Sequence, residues 1–261
     1  MGSLLSQYVR RTPLHRGKLR VTRLAFRLLP RVPVRGRFGN KMLSVPDNTT
    51  VRSIVGTYTA VLDCVDRLRP GMAFIDVGAN AGVFSLFAAD RVGEEGRVVA
   101  FEPSLEIFQL FLRNVSLNSN ARRIVPFNAA LGEETRVVRF DPATPEHSGR
   151  AHVDASGSAE VLQIGPAELT PLLTALIEGR ETIVKIDVEG AEVMVLAALA
   201  PFLRSGRVAA LVAEVNAVHL ARFGSTEAEL FGMMAELGFT AAERSDASAH
   251  YDQIFLRAEA G

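Results

Sequence analysis

The chain has 261 residues, 48% of them hydrophobic, enough to bury one substantial core and still carry an arm. Basic and acidic residues number 29 each, but residues 1–41 hold eleven basic and no acidic ones, leaving 18 basic against 29 acidic in the remainder. The single cysteine, Cys64, excludes an internal disulfide, no Cys/His grouping has zinc-ligand spacing, and no apolar run approaches the ~20 residues that span a bilayer.

These features suit a reducing, cytoplasmic setting, and arginines interrupt the N-terminus too often for the apolar centre of a signal peptide. Within the arm, GKLRVTRLAFRLLPRVP alternates basic and apolar residues as an amphipathic helix ending near Pro30 would. Two readings stand for it. It lies on an anionic membrane surface or guides a phosphorylated substrate, or it packs its apolar face on the acidic body as an N-terminal cap. Nucleic-acid binding has less support, because no tryptophan and only three tyrosines are present for base stacking. VPVRGRFGNKMLSVP reads as a hairpin turning near Phe38, Gly39 and Asn40. Residues 1–48 therefore form the basic arm and hairpin, and 49–261 the main domain.

A helix over about 49–69, stopped by Pro70-Gly71, opens that domain. Strands then follow at 73–76, 97–102, 123–128, 182–187 and 208–214, with helices near 82–92, 104–118, 190–204 and 226–237. This is the rhythm of an α/β fold with a doubly wound, mainly parallel sheet and helices on both faces. Residues 136–164 break it: RVVRF and EVLQI flank a stretch rich in turn formers, which borders a substrate pocket or forms a surface loop.

In such a sheet, ligands bind beyond the carboxyl ends of the strands, and the loop after the first strand touches them most closely. That loop, in AFIDVGANAG, contains Gly78, Asn80 and Gly82, which suit a tight turn or close approach of a ligand. The spacing misses the dinucleotide pattern G-x-G-x-x-G, and no P-loop lysine follows. Glu102 ends the next strand, where a carboxylate accepts hydrogen bonds from both hydroxyls of a ribose or else caps the following helix. A nucleoside without a pyrophosphate fits this pair of features, and S-adenosylmethionine is one.

DVGANAG at 76–82, FEPS at 101–104, NAAL at 128–131 and KIDVEGAE at 185–192 together resemble the successive motifs of FkbM-type S-adenosylmethionine-dependent O-methyltransferases. The resemblance spans roughly residues 50–257. It implies a class I methyltransferase (Rossmann-like) fold, S-adenosylmethionine as cofactor, and methyl transfer to a hydroxyl of a sugar, glycolipid or polyketide-like acceptor. It assigns Asp76, Gly78, Asn80 and Gly82 to the methionine portion of the cofactor, Glu102 to its ribose, and Asn128 and Ala129 to its adenine. The segment GPAELTPLL departs from the pattern, with Thr170 where an acidic residue is expected on an acceptor-side loop.

The catalytic candidates are Asp187, Lys185, Glu214 and His219. Lys185 lies inside an apolar strand and needs an anionic partner or must lose its proton. Asp187, two residues on, shares its face. Glu214 ends the neighbouring strand, which brings carboxylates and lysine into one cluster fit to remove the acceptor proton. Alternatively, Asp187, Glu214 and Asn216 hold a divalent cation that acidifies the acceptor. Glu189 opens the next helix and favours its positive end. His219 is a helix-surface residue or an alternative base. Two other readings remain: a non-catalytic S-adenosylmethionine-binding scaffold, and an NAD-dependent oxidoreductase.

Overall fold

The computed structural model describes residues 2–13, 16–36, 39–43, 51–52, 54, 58–141, 152–153, 157–205, 207–243 and 249–258. Helices α1 (Gly2–Arg11) and α2 (Arg16–Leu28) precede a hairpin of β1 (Pro33–Arg35) and β2 (Lys41–Leu43). Val51, Arg52 and Ile54 are helical, and α3 (Thr59–Asp66) follows; the rest of the expected 49–69 helix before Tyr58, like the turn residue Phe38, falls outside the described residues.

Strict alternation then begins with β3 (Ala73–Val77), α4 (Val83–Arg91), β4 (Arg97–Phe101), α5 (Leu105–Ser116) and β5 (Ile124–Phe127). A separate sheet interrupts it, made of β6 (Ala130–Leu131), β7 (Arg136–Asp141), β8 (His152–Val153) and β9 (Ala159–Ile164). The runs RVVRF and EVLQI are thus antiparallel partners, while most of the stretch between them lies outside the described residues. The main pattern resumes with α6 (Pro166–Ile177), β10 (Thr182–Ile186), α7 (Glu192–Ser205) and β11 (Val208–Asn216). Helices α8 (Ala217–Arg222) and α9 (Glu227–Glu236) lead into β12 (Phe239–Ala241) and β13 (His250–Arg257).

The main sheet has the order β12-β13-β11-β10-β3-β4-β5. The five strands from β11 to β5 are parallel, and β13 runs antiparallel to both its neighbours. Every residue of AFIDV and TIVKI is buried, as central parallel strands covered on both faces require. Alternate side chains divide between two cores: Phe74, Val98, Ile183 and Val212 pack with α3, α4 and α5, whereas Ile75, Val99, Val184 and Leu211 pack with α6, α7 and α9. This is the class I methyltransferase architecture that the motifs implied.

A helix and an antiparallel edge were not expected. Helix α6 is disguised by Pro166 and Pro171, yet Pro166 sits in the first turn, where its missing N–H has no intrahelical partner. Thr170 therefore stands on a helix, not on a loop. Strands β12 and β13 form an antiparallel edge whose sequence, HYDQIFLR, mixes polar and apolar residues without clean alternation.

The arm packs on the body. Leu5, Val9, Phe26, Val34 and Met42 are buried in the core that contains α3, α4 and α5. The backbone N–H groups of Lys41 and Leu43 donate to Asn118 Oδ1 and Asn114 Oδ1, at 2.9 and 2.8 Å, which ties the hairpin to the end of α5. The outer face keeps Leu4, Val21, Leu24 and Leu28 exposed. Among the described residues no helix is long and apolar enough to cross a membrane.

Candidate active site

Strand register brings the site residues onto one line. The last paired rungs are Phe101 with Phe127, Val77 with Phe101, Ile186 with Val77, and Ala213 with Ile186. One step further along each chain come Asn128, Glu102, Gly78, Asp187 and Glu214, and Glu214 pairs with Asp252 of β13. All lie at the carboxyl ends of the parallel strands, where ligands of doubly wound sheets bind.

The glycine loop is packed against its own chain. A Cβ on Gly78 would lie 1.8 Å from the Asp187 carbonyl oxygen, and one on Gly82 would lie 2.1 Å from the Phe111 ring. Gly78, Asn80 and Gly82 all have positive φ, at 77°, 51° and 82°, which folds the turn tightly over the end of β4. Gly78 and Ala79 N–H both donate to the Phe101 carbonyl, at 3.0 and 2.9 Å. Asn80 Oδ1 accepts from the Ala81 N–H at 2.6 Å.

Glu102, 5% exposed, accepts the Asn80 N–H on Oε2 at 2.9 Å and the Ser104 N–H on Oε1 at 2.8 Å. It thereby joins the loop to the start of α5. Each oxygen keeps a second acceptor position, so the carboxylate could accept from both hydroxyls of a vicinal diol such as that of ribose. Burial pushes the Glu102 pKa up to about 7 despite those two hydrogen bonds. Asn128 Nδ2 donates to the carbonyls of Glu102 and Pro103, both at 2.9 Å, bracing β5 against β4, and Ala129 beside it is buried.

Beneath the loop is an ion cluster. Lys185, 2% exposed, places Nζ 3.2 Å from Asp76 Oδ1 and 3.4 Å from Asp187 Oδ2, and donates to the Gly78 carbonyl at 3.0 Å. Ser85 Oγ donates to Asp76 Oδ2 at 2.6 Å. Burial alone would lower the lysine pKa, but Asp187 and Asp76 reverse the sign and raise it. Lys185 therefore keeps its proton, which suits an anchor and not a base. Asp187, 26% exposed, has its pKa raised by burial and by Glu214, with Lys185 opposing.

A second cluster surrounds Glu214. His250 Nε2 lies 2.6 Å from Glu214 Oε1, and His219 Nδ1 lies 3.8 Å from Oε2 and 3.1 Å from Glu189 Oε2. Burial lowers the His219 pKa, whereas the hydrogen bond to Glu214 raises that of His250. Asn216 is not free to join Asp187 and Glu214 in holding a cation: its Oδ1 accepts the Val218 and His219 N–H groups and caps α8. Glu189 does not open a helix either, since α7 starts at Glu192; it occupies a turn with φ 55°. Glu192 Oε1 pins that turn through the Val188 and Gly190 N–H groups, at 3.1 and 3.2 Å.

Sequence reasoning missed His250, Asp252 and Tyr58. Burial, then Asp187 and Glu214, push the Asp252 pKa up to about 7. Tyr58, just before α3, has its pKa raised by burial and by Asp187, and its ring meets Phe84 edge-on at 5.9 Å. The run IFL within HYDQIFLR was the one available signal for β13.

The parallel sheet, with the glycine loop and the buried carboxylates at its carboxyl edge, has the architecture of a class I S-adenosylmethionine-dependent methyltransferase domain. The Methyltransferase FkbM domain profile matches residues 76–241, and the chain belongs to that family. S-adenosylmethionine is accordingly the cofactor. A 166-residue stretch is 24% identical to the hexuronic acid methyltransferase AglP of Haloferax volcanii, covering 62% of this chain and 64% of AglP. A 99-residue stretch is 37% identical to the AMB antimetabolite synthetase AmbE of Pseudomonas aeruginosa, covering 37% of this chain and 4% of AmbE. The chain thus spans less than two thirds of the length of either relative. Among solved structures, a SAM-dependent O-methyltransferase from Thermotoga maritima aligns at 12% identity and a TM-score of 0.45, over 88% of this chain and 78% of that one.

Proposed function

We propose that the protein transfers the methyl group of S-adenosylmethionine to a hydroxyl oxygen of a sugar, glycolipid or polyketide-like acceptor. The observation that carries this reading is the Asp187 carboxylate, partly exposed beside the glycine loop and held by a lysine that stays protonated. When bound, S-adenosylmethionine supplies an electrophilic methyl on a sulfonium. The backbone of the loop from Gly78 to Gly82 would cradle its methionine portion, with Asp76 beneath, Glu102 would accept its ribose hydroxyls, and Asn128 and Ala129 would border its adenine. Asp187 would orient the acceptor hydroxyl and take its proton, since a raised pKa makes a carboxylate a stronger base. Lys185 is a positioning residue that keeps Asp187 aimed, and Glu214 and His219 border the acceptor.

The activity of AglP, a hexuronic acid methyltransferase, supports a sugar acceptor. A cleft of about 540 Å³ lined by Arg10, Arg11, Arg35 and Lys41 suits a phosphate on that acceptor or on a membrane surface. The single buried cysteine suits a reducing cytoplasm. An NAD-dependent oxidoreductase is disfavoured, because the spacing of Gly78, Asn80 and Gly82 misses the dinucleotide pattern G-x-G-x-x-G. A non-catalytic scaffold leaves the proton-accepting cluster without a use.

The test is turnover with labelled S-adenosylmethionine and a panel of sugars and glycolipids, with the methyl position in the product found by NMR. Asp187→Asn is expected to lower turnover by at least ~100-fold with cofactor affinity nearly unchanged. Near-full turnover in that variant, or a product methylated on nitrogen or carbon, refutes the reading.

A further inference from the structure

Glu214 Oε2 is buried, on a side chain only 9% exposed, and accepts no hydrogen bond. A carboxylate oxygen in that position calls for a positive or hydrogen-donating partner. Lys185 does not serve, since Asp76, Asp187 and the Gly78 carbonyl already surround its Nζ. His250 is held on the other oxygen. Oε2 instead faces His219 Nδ1 at 3.8 Å, which is itself buried, makes no hydrogen bond, and lies 3.1 Å from Glu189 Oε2. The three residues offer donor atoms all within 4.8 Å of one another.

The surrounding backbone is arranged to keep them there. Glu189 adopts a left-handed φ, uncommon for a residue with a side chain, and Gly190 after it lies so close to α8 that a Cβ would come 2.4 Å from the His219 carbonyl oxygen. That contact seats the Glu189 turn directly on the helix that carries His219. The Asn216 cap fixes the start of the same helix.

We propose that Glu189, Glu214 and His219 form a binding site for one divalent transition-metal ion of the class that accepts mixed carboxylate and imidazole ligands, such as Zn²⁺, Mn²⁺ or Co²⁺. A cation about 2.1 Å from each donor sets the donors roughly 3.0–3.5 Å apart; the His219–Glu189 pair at 3.1 Å already meets this, and the His219–Glu214 pair at 3.8 Å needs a shift of a few tenths of an ångström. The imidazole ligand argues against Mg²⁺ and Ca²⁺, which prefer oxygen. The ligand set also differs from Asp187, Glu214 and Asn216, because Asn216 is taken by its helix cap and Asp187 by Lys185. The ion would sit at the carboxyl ends of β10 and β11, where it can polarise an acceptor oxygen. That role rests on the proposed hydroxyl chemistry; the binding site does not.

The test is calorimetry on the full chain, first treated with a chelator, titrated with MnCl₂ and then with ZnCl₂ in the absence of cofactor and acceptor. One ion per chain is expected, with Glu189→Gln and His219→Gln each weakening binding at least about tenfold while S-adenosylmethionine binding is retained. Absence of binding by either ion at about 1 mM, or affinities unchanged in both variants, overturns the proposal. If a variant also loses cofactor binding, the visible spectrum of Co²⁺ in the unmodified protein decides. Bands of carboxylate and imidazole coordination support the site, and an aqua-ion spectrum overturns it. Failure of this titration leaves methyl transfer standing, and failure of the methyl-transfer assay leaves the ion site standing.

Discussion

Replacing Lys185 with Met asks whether the ion cluster under the glycine loop holds the site together. Methionine keeps most of the volume of a side chain that is 2% exposed, so packing changes little. The charge is what disappears. Asp76, whose side chain is 0% exposed, and Asp187 lose their partner at 3.2 and 3.4 Å, and the Gly78 carbonyl loses its donor at 3.0 Å. Removing one member of a buried ion pair costs about 3–5 kcal/mol, because the charge left behind stays desolvated. The Ser85 hydroxyl remains on Asp76 and offsets about 1 kcal/mol, so a loss of roughly 3 kcal/mol is expected near neutral pH. At about 2–4 °C per kcal/mol for a chain of this size, Tm falls by roughly 6–12 °C. Urea unfolding followed by circular dichroism measures the loss, with the slope m unchanged. Adding Asp76→Asn removes one stranded charge, and the double variant should recover at least ~1 kcal/mol relative to additivity. A loss below about 1 kcal/mol, or strict additivity of the two substitutions, refutes the view that this cluster ties β3 to β10.

Glu102→Ala should weaken S-adenosylmethionine binding by about 1.5–3 kcal/mol in calorimetry, the scale of hydrogen bonds to a charged group, and an unchanged affinity removes Glu102 from the ribose site. Stability of the cofactor-free protein should fall as pH rises. Glu102, Glu192 and Asp252 have pKa values raised to about 7 and Glu189 to about 9, so the native state holds protons that the unfolded chain has released above about pH 4.5. That stabilisation is complete below the unfolded values and is lost as pH passes through 7 and then 9; the lowered His219 acts oppositely, against these four carboxyls and the likewise raised Asp187 and His250. Thermal melts that rise between about pH 5 and 7 would contradict this. If the arm docks on anionic lipid, co-sedimentation should favour anionic over neutral liposomes and fade as the screening length drops toward ~3 Å at 1 M salt. Leu24→Ser with Leu28→Ser, at positions 57% and 72% exposed, should reduce it without touching the core, and equal sedimentation with both lipids leaves the arm as a cap only.

The central parallel strands were legible because β3, β4, β10 and β11 are largely buried on both faces and therefore read as mainly apolar runs. Glu102, Asp187 and Glu214 stood out for the same reason: each is the first carboxylate after such a run, and the register of a parallel sheet sets those positions side by side. β13 escaped because it is reversed. Its Asp252 and His250 lie within a strand, beside Glu214 and Asn216, where no rule about strand ends applies. The glycines are the subtler case. Gly78 and Gly82 were explicable from sequence only as room for a ligand or a turn, yet a side chain at Gly78, Gly82 or Gly190 would collide with Asp187, Phe111 or His219 of the same chain respectively. A missing Cβ records that something comes close without recording what. Here it is the neighbouring loop, and the consequence is functional: the turn that would cradle the methionine portion rests on the backbone of Asp187, and the turn that carries Glu189 rests on that of His219. Cofactor side and acceptor side are thus joined through backbone contacts. Gly78→Ala should accordingly damage both cofactor affinity and turnover, whereas Asp187→Asn, which leaves that backbone in place, should damage turnover alone.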